Sequence, residues 1–189
     1  MRAWKGARVY GLVNQAVEDL VRSRHGDAVW AQIRERAGIR IESFLSMSEY
    51  PDAVTYDLVR AASEVLAESP DAILEAFGEY WVLYTSKKGY GEMLEMAGDS
   101  LPEFLMNLDQ LHTRLGVLMP HLQPPSFVCS DVTDHALTLH YHSKREGLGP
   151  MVVGLVRGLG KRFGNEVTIE RLGGRDQGLD HEQFRVSWT

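Results

Sequence analysis

The stretch QPPSFVCSDVTDHALTLHYHS, residues 123–143, divides the sequence into a helical part and a strand part. Consecutive prolines favour an extended backbone, so QPP predicts a stiff linker. The residues that follow alternate between apolar and polar around a polar turn, which is typical of a β-hairpin. Further on, GPMVVGLVRGLGKRFG predicts a helix, and EVTIERL and FRVSW predict two more strands. We therefore predict a β-β-α-β-β antiparallel sheet after the linker.

Before the linker, apolar residues recur at three- and four-residue spacing, the pattern of helices with one buried face. Ser69 followed by proline indicates one helix start, and Ser100 with Glu103 indicates a capping box at another. The fold class is therefore α+β, as a single domain over residues 1–189. We expect a helical subdomain at about residues 9–122 and a sheet subdomain at about residues 123–189.

Composition excludes several classes of protein. The net charge of -6 argues against binding to nucleic acid or to an anionic membrane surface. The single cysteine, Cys129, excludes an internal disulfide and fits a reducing compartment. No run of about 18 apolar residues exists to span a membrane, and MRAWKGAR lacks the apolar stretch of a signal peptide. We expect a cytoplasmic protein.

The segment HYHSKREG, residues 140–147, combines three hydrogen-bond donors. On a strand, Tyr141, Ser143 and Arg145 share one face, because side chains alternate. A guanidinium matches a carboxylate or a phosphate through two parallel hydrogen bonds. This face suits a ligand with an apolar body and acidic ends. The alternative is a strand that leaves the core for solvent, and the pattern taken alone favours that alternative.

His112 lies on a long apolar helix face in LPEFLMNLDQLHTRLGVLMP, whose stripe runs from Leu101 to Leu118. A single histidine in this setting is usually a core residue with satisfied hydrogen bonds. Zinc would need further ligands, which the neighbouring leucines, phenylalanine and methionine do not offer. Haem would need only one imidazole, because the macrocycle supplies four ligands, and it has two carboxylates at one edge.

Together these segments resemble the H-NOX domains, the haem sensors of nitric oxide and oxygen that include the haem domain of soluble guanylate cyclase. The resemblance extends from Tyr10 over nearly the whole chain. It rests on YGLVNQA, VTYDLV, FGEYW, LPEFLMNLDQLH, the PPSF linker and YHSKREGL. Tyr-x-Ser-x-Arg alone is a loose pattern, but it is specific when a histidine lies about thirty residues upstream.

The resemblance implies a haem between the helical and the sheet parts. His112 would be the proximal iron ligand of a non-covalent haem b, and no Cys-x-x-Cys-His occurs for covalent attachment. Tyr141, Ser143 and Arg145 would hold the propionates, and Pro125 would press on the porphyrin. Leu108 and Leu115 complete the contacts expected beside His112.

Selectivity among gases follows from the side chains over the iron. Oxygen-binding members place a tyrosine hydroxyl there, and our alignment gives that position to Met151. The expected distal wall is Val13, Val17, Trp81, Met151 and Leu155. With Trp81 packed as an apolar plate, we expect binding of nitric oxide and carbon monoxide, with little affinity for oxygen.

The resemblance also implies signalling. Nitric oxide would weaken or break the bond between iron and His112, and the helical part would shift against the sheet part. A separate histidine kinase or diguanylate cyclase would receive the signal, so the chain would not be an enzyme. The alternatives are a haem peroxidase or nitric oxide dioxygenase, or a passive gas carrier.

Three weaker features remain. RGLGKRFG, residues 157–164, has the glycines and lysine of a phosphate loop but not its spacing. His140 and His142 share a strand face and could bind a metal, although a solvated face is the favoured interpretation.

Family chains commonly begin Met-Tyr-Gly where this one has Val9-Tyr-Gly. Residues 1–8 could therefore precede the true start, which intact-mass analysis of the native protein would test.

Overall fold

A computed structural model describes residues 7–189 of the chain. Its α-helices, numbered α1 to α7, are Gly11–His25, Asp27–Arg36, Asp52–Leu66, Pro70–Thr85, Gly91–Glu95, Leu101–Leu118 and Gly149–Phe163. Its strands, numbered β1 to β6, are Arg8–Tyr10, Glu49–Pro51, Ser126–Ser130, Ala136–His142, Val167–Gly173 and Glu182–Trp188. The α+β fold class and the β-β-α-β-β order after the linker are confirmed.

The last four strands form one antiparallel sheet in the order β3-β4-β6-β5. Strand β4 pairs with β3 and β6, with Phe127 opposite Tyr141 and His140 opposite Gln183. Alternation gives β4 two faces. We call the side that carries Leu137, Leu139 and Tyr141, all buried, the inner face. We call the side that carries His140 and His142 the outer face.

Helix α6 follows the predicted stripe for most of its length. Leu101, Phe104, Leu105, Leu108 and Leu111 are buried. Leu118, which the spacing also assigns to the stripe, is 59% exposed. The buried face therefore ends before the last turn of the helix.

The helix caps agree with the sequence at one site and differ at another. The Ser69 hydroxyl accepts a hydrogen bond from the amide of Ala72, 3.1 Å away, as its position before α4 predicts. The predicted capping box at α6 is wrong in detail, because Ser100 forms no side-chain cap. The Glu103 carboxylate instead accepts from the amide of Asp99 at 3.0 Å.

A small antiparallel sheet of β1 and β2 is absent from the sequence prediction. Each strand has three residues, which is too short to show an alternating pattern. Gly11, directly after β1, lies so close to the next segment that an added Cβ would be 2.1 Å from the carbonyl oxygen of Leu45. The N-terminal turn of α1 therefore needs glycine.

The described chain forms two compact units. The first contains residues up to Trp81 together with Arg145–Gly154, and the second contains Val82–Lys144 and Leu155–Thr189. The predicted subdomain boundary near residue 122 does not coincide with this division, because α6 packs against strand β3. No helix among residues 7–189 has both the length and the hydropathy that a membrane span needs.

Candidate functional site

Helix α6 holds His112 at the edge of its buried stripe. The Nδ1 atom of His112 is buried and has no hydrogen-bond partner. Burial lowers the pKa of His112 from its ordinary value, and the nearby Asp109 carboxylate offsets this only in part. The imidazole is therefore neutral near pH 7, as a metal ligand must be. A buried nitrogen without a partner costs about 1–3 kcal/mol unless something binds it.

Aromatic side chains line the sheet side of His112. The ring of Phe127 stacks on the imidazole, with centroids 5.7 Å apart and planes inclined by 25°. Tyr141 follows, with its ring centroid 5.2 Å from that of Phe127. The Asp109 carboxylate accepts a hydrogen bond from the amide of Phe127 at 3.2 Å, which ties α6 to β3. Neither Phe127 nor Asp109 was among the predicted site residues, although PPSF and NLDQLH contain them.

The predicted donor face of Tyr141, Ser143 and Arg145 is not a single strand face. Strand β4 ends at His142, so only Tyr141 lies on it and points to the inner face. Ser143 and Arg145 follow the strand end, where the chain bends towards a left-handed Gly147 (φ 75°). The expectation that strand alternation aligns all three residues is therefore wrong.

Arg145 has a carboxylate partner within the first unit. Its Nε donates to Oδ2 of Asp52 at 2.7 Å, and Nη2 donates to Oδ1 at 3.2 Å. Nη2 also donates to the carbonyl oxygen of Arg8 at 3.0 Å. The Asp52 side chain is only 2% exposed. The fork thus recognises a carboxylate through two hydrogen bonds, as its chemistry predicts, and the partner here is a residue 93 positions earlier in the chain.

The remaining predicted residues are divided between the two units. The second unit contains Leu108, which is buried, and Leu115, Pro125 and Leu155, which are half-buried. The first unit contains Val13 and Val17 on α1, Trp81 on α4 and Met151 on α7. Within that unit Trp81 packs on Phe77, with ring centroids 5.9 Å apart. The roles of these residues in binding stay predictions.

The donor set around His112 limits what it can bind. In the described part of the chain, the three His, Cys, Asp or Glu side chains with metal-ligand spacing are His142, Asp180 and His181, not residues around His112. A bare ion such as zinc needs about four ligands. A lone neutral imidazole among leucines fits a cofactor that carries the other metal ligands itself. The residues present therefore fit haem.

A neutral imidazole on α6 with a buried, unpartnered nitrogen has the chemistry of a ligand to a metal-centred cofactor. The model of the haem-NO-binding family matches residues 10–171. The chain therefore belongs to this family, the H-NOX domains.

Curated relatives agree with this assignment. Soluble guanylate cyclase gcy-32 of Caenorhabditis elegans is 33% identical over 165 residues, which are 85% of this chain and 24% of that protein. Soluble guanylate cyclase gcy-31 of the same organism is 29% identical over 96% of this chain and 26% of its own length. The chain thus spans about a quarter of the length of these relatives.

Solved structures share the fold. An H-NOX protein from S. oneidensis in the Fe(II)NO ligation state has a TM-score of 0.87 at 18% identity, over 96% of this chain and 99% of that one. An oxygen-binding H-NOX domain related to soluble guanylate cyclases has a TM-score of 0.80 at 21% identity, over 96% and 95%. The matched region is a haem-binding domain of a gas-sensor family whose members signal to partner proteins.

Proposed function

We propose that this chain binds non-covalent haem b through His112, binds nitric oxide and carbon monoxide but little oxygen, and regulates a separate partner protein. The observation that carries the proposal is the buried Nδ1 of His112, which lacks a hydrogen-bond partner. Haem, when bound, supplies the iron with four ligands and a free position for a gas. Because the only cysteine is Cys129, a covalent link through two cysteines is excluded.

Three side chains near the end of β4 are proposed to hold the haem carboxylates. The Tyr141 phenol and the Ser143 hydroxyl can donate to propionate oxygens. The Arg145 guanidinium is always charged and its planar fork matches a carboxylate, so it can attract and orient a propionate. Its bidentate pairing with Asp52 supports the proposal, because that contact has the geometry that a propionate requires. Pro125, Leu108 and Leu115 are proposed as apolar contacts beside His112.

Gas selectivity is proposed to rest on an apolar wall. Oxygen bound to iron gains strongly from a nearby hydrogen-bond donor, whereas nitric oxide gains much less. Four of the five residues assigned to the wall carry no side-chain donor: Val13, Val17, Met151 and Leu155. The fifth is Trp81, whose ring packs on Phe77. This composition supports weak binding of oxygen.

Two substitutions at Met151 test the selectivity directly. Met151→Tyr adds a hydroxyl donor, and Met151→Phe adds a ring of nearly the same size without one. We expect Met151→Tyr to raise oxygen affinity by about tenfold or more, since a hydrogen bond to a charged group contributes about 1.5–3 kcal/mol. Met151→Phe should behave like the wild type. A stable ferrous-oxy spectrum of the wild type in air would contradict the proposal.

Signalling is proposed to pass through α6. If nitric oxide weakened the bond between the haem iron and His112, α6 would lose that anchor, and the equilibrium between two packings of the domain would shift. The proposed partner is a histidine kinase or a diguanylate cyclase. His112→Gly protein supplied with free imidazole should keep haem but lose the effect of nitric oxide on the partner's activity. A partner that still responds normally would contradict this route.

We also infer that the chain is a sensor and not an enzyme, and that it is cytoplasmic. A peroxidase or a nitric oxide dioxygenase needs an acid–base group near the bound ligand. The residues assigned to the wall include no histidine, arginine or carboxylate. Haem-loaded protein should therefore not turn over peroxide above the rate of free haem. Cell fractionation tests the location.

A further inference from the structure

The outer face of the sheet carries a cluster of histidines that the haem proposal does not use. His140 and His142 lie on the outer face of β4, and His140 is opposite Gln183 of β6. This register brings His181, just before β6, beside both of them. The rings of His142 and His181 stack, with centroids 4.1 Å apart and planes inclined by 24°. Two half-buried imidazoles of β4 and a third from just before β6 therefore converge on the outer face of the sheet.

Three ligand atoms of this cluster have the spacing of a metal site. His142, Asp180 and His181 each offer one nitrogen or oxygen atom, and these atoms all lie within 4.8 Å of one another. Ligands of a tetrahedral zinc ion lie about 3.4 Å apart, since each is about 2.1 Å from the metal. Side-chain rotations that move the ligand atoms by up to about 1.4 Å would close the difference between 4.8 Å and about 3.4 Å. Asp180 is 87% exposed, so its side chain can turn.

The chemistry of the donors selects the metal. Two imidazole nitrogens and one carboxylate oxygen are the ligands that zinc and neighbouring transition metals prefer, whereas calcium and magnesium prefer oxygen alone. With three protein ligands, the fourth position of a tetrahedral ion would be taken by water. The cluster therefore favours a divalent transition metal.

A hydrogen-bond chain behind His181 supports it as a ligand. Its Nε2 lies 3.0 Å from Nδ1 of His140, whose Nε2 lies 2.9 Å from the Ser130 hydroxyl oxygen. Ser130 in turn donates to the Asp131 carboxylate at 2.9 Å. If Nδ1 of His181 binds a metal, its Nε2–H donates to His140, His140 donates to Ser130, and Ser130 donates to Asp131. Metal-binding histidines in proteins are usually oriented by such partners.

The same side chains can also form a hydrogen-bonded cluster that holds no metal. Without a metal, Nδ1 of His181 donates its hydrogen to Asp180. The Gln183 amide, 3.1 Å from Nε2, can accept or donate according to which of its ends faces the ring. A metal would replace the Nδ1 hydrogen between His181 and Asp180. The alternative to a metal site is thus a hydrogen-bonded surface cluster.

We propose that the outer face of the sheet binds one zinc ion, or a chemically similar divalent transition metal, through His142, His181 and Asp180, with His140 orienting His181. None of these residues is a proposed haem contact. The proposal therefore stands or fails independently of haem binding.

Titration of the purified protein, stripped of metal with a chelator, with zinc chloride in a calorimeter tests this site. We expect one zinc per chain, and we expect His142→Ala and His181→Ala each to weaken binding by about 100-fold or more. His140→Ala, which removes only the orienting contact, should weaken it by about 10- to 100-fold. His135→Ala, an exposed histidine outside the cluster, is the matched control and should bind like the wild type.

Two results would overturn the proposal. One is the absence of saturable zinc binding at one ion per chain. The other is wild-type affinity in both His142→Ala and His181→Ala, which would assign the zinc to adventitious surface groups. Circular dichroism of each variant verifies that lost binding does not reflect unfolding, and His181→Gln provides a milder variant. Magnesium chloride in place of zinc should give no binding.

Discussion

Histidine side chains lie in two different surroundings on the two sides of strand β4. On the inner face, Phe127 stacks on a single imidazole, His112, whose Nδ1 has no hydrogen-bond partner, and Tyr141 packs on Phe127. On the outer face, His140, His142 and His181 contact one another and the Asp180 carboxylate. An isolated imidazole suits a cofactor that brings its own ligands, whereas clustered imidazoles suit a bare ion. The neighbours of a histidine, more than the histidine itself, define the kind of site.

The carboxylates of the first unit also lie in two settings, one buried and one exposed. Substitution of the buried carboxylate should have the largest effect on stability. Asp52 is buried with Arg145, whereas Asp57 on the same helix pairs with Arg60 in the exposed setting. We expect Asp52→Asn to lower the free energy of unfolding by about 3–5 kcal/mol, because it removes the carboxylate charge that balances a largely buried guanidinium. Urea denaturation measures this.

The matched control for that variant is Asp57→Asn. An exposed ion pair contributes at most about 1 kcal/mol, so the control should unfold close to the wild type. Equal losses in the two variants would mean that burial of the Asp52 pair does not matter, and the contrast would fail.

The next largest loss of stability is expected for a buried apolar residue of the sheet, compared with an exposed one. Leu139 on the inner face is 0% exposed, whereas Val128, on the outer side of neighbouring β3, is 51% exposed. Leu139→Ala should cost about 2–5 kcal/mol, because it removes buried methyl groups and leaves a cavity. Val128→Ala should change stability by about 0.5 kcal/mol or less. A thermal-unfolding series on both variants would expose any error in the assignment of the two faces.

The smallest effect concerns the thiol on the inner side of β3, where Cys129 pairs with Leu139. Burial raises the pKa of Cys129 from 9.0 to about 11. At about pH 8 it should hold about 100-fold less thiolate than a thiol with the ordinary pKa, and thiolate gained as pH rises should speed its reaction. Because a more basic thiolate is also more nucleophilic, we expect alkylation to be about tenfold slower.

Intact-mass analysis after timed exposure to iodoacetamide follows this reaction, with urea-unfolded protein as the reference. On the same argument, the native and unfolded rates should become equal near about pH 10. A native rate equal to the unfolded rate near pH 8 would show that the thiol is not held in an apolar setting.

Long periodic segments made most of the fold predictable. The stripe of α6 and the alternation of β4 each extend over several residues, so their element types could be assigned from sequence. Strands β1 and β2 have only three residues each, and no pattern of that length is distinctive. The capping box differs from the prediction because the Glu103 carboxylate accepts from the amide of Asp99, and Ser100 forms no side-chain cap.

The site was predictable in its residue types and less so in its contacts. His112 could be singled out because it is a polar residue on the apolar stripe of α6. The pairing of Arg145 with Asp52 spans 93 residues, and no local pattern predicts it. His181 joins His142 only through the register of β4 with β6, which sequence alternation leaves open. For that reason the sequence favoured a solvated face at His140 and His142.

The absorption spectrum of the reduced, haem-supplied protein tests the central claim most directly, with the wild type compared to His112→Gly and to His142→Gly. We predict that the wild type and His142→Gly give the same spectrum of ferrous haem bound to one imidazole. His112→Gly should lose that spectrum and regain it when free imidazole is added. A wild type that stays colourless with haemin, or a His112→Gly spectrum identical to that of the wild type, would contradict the account.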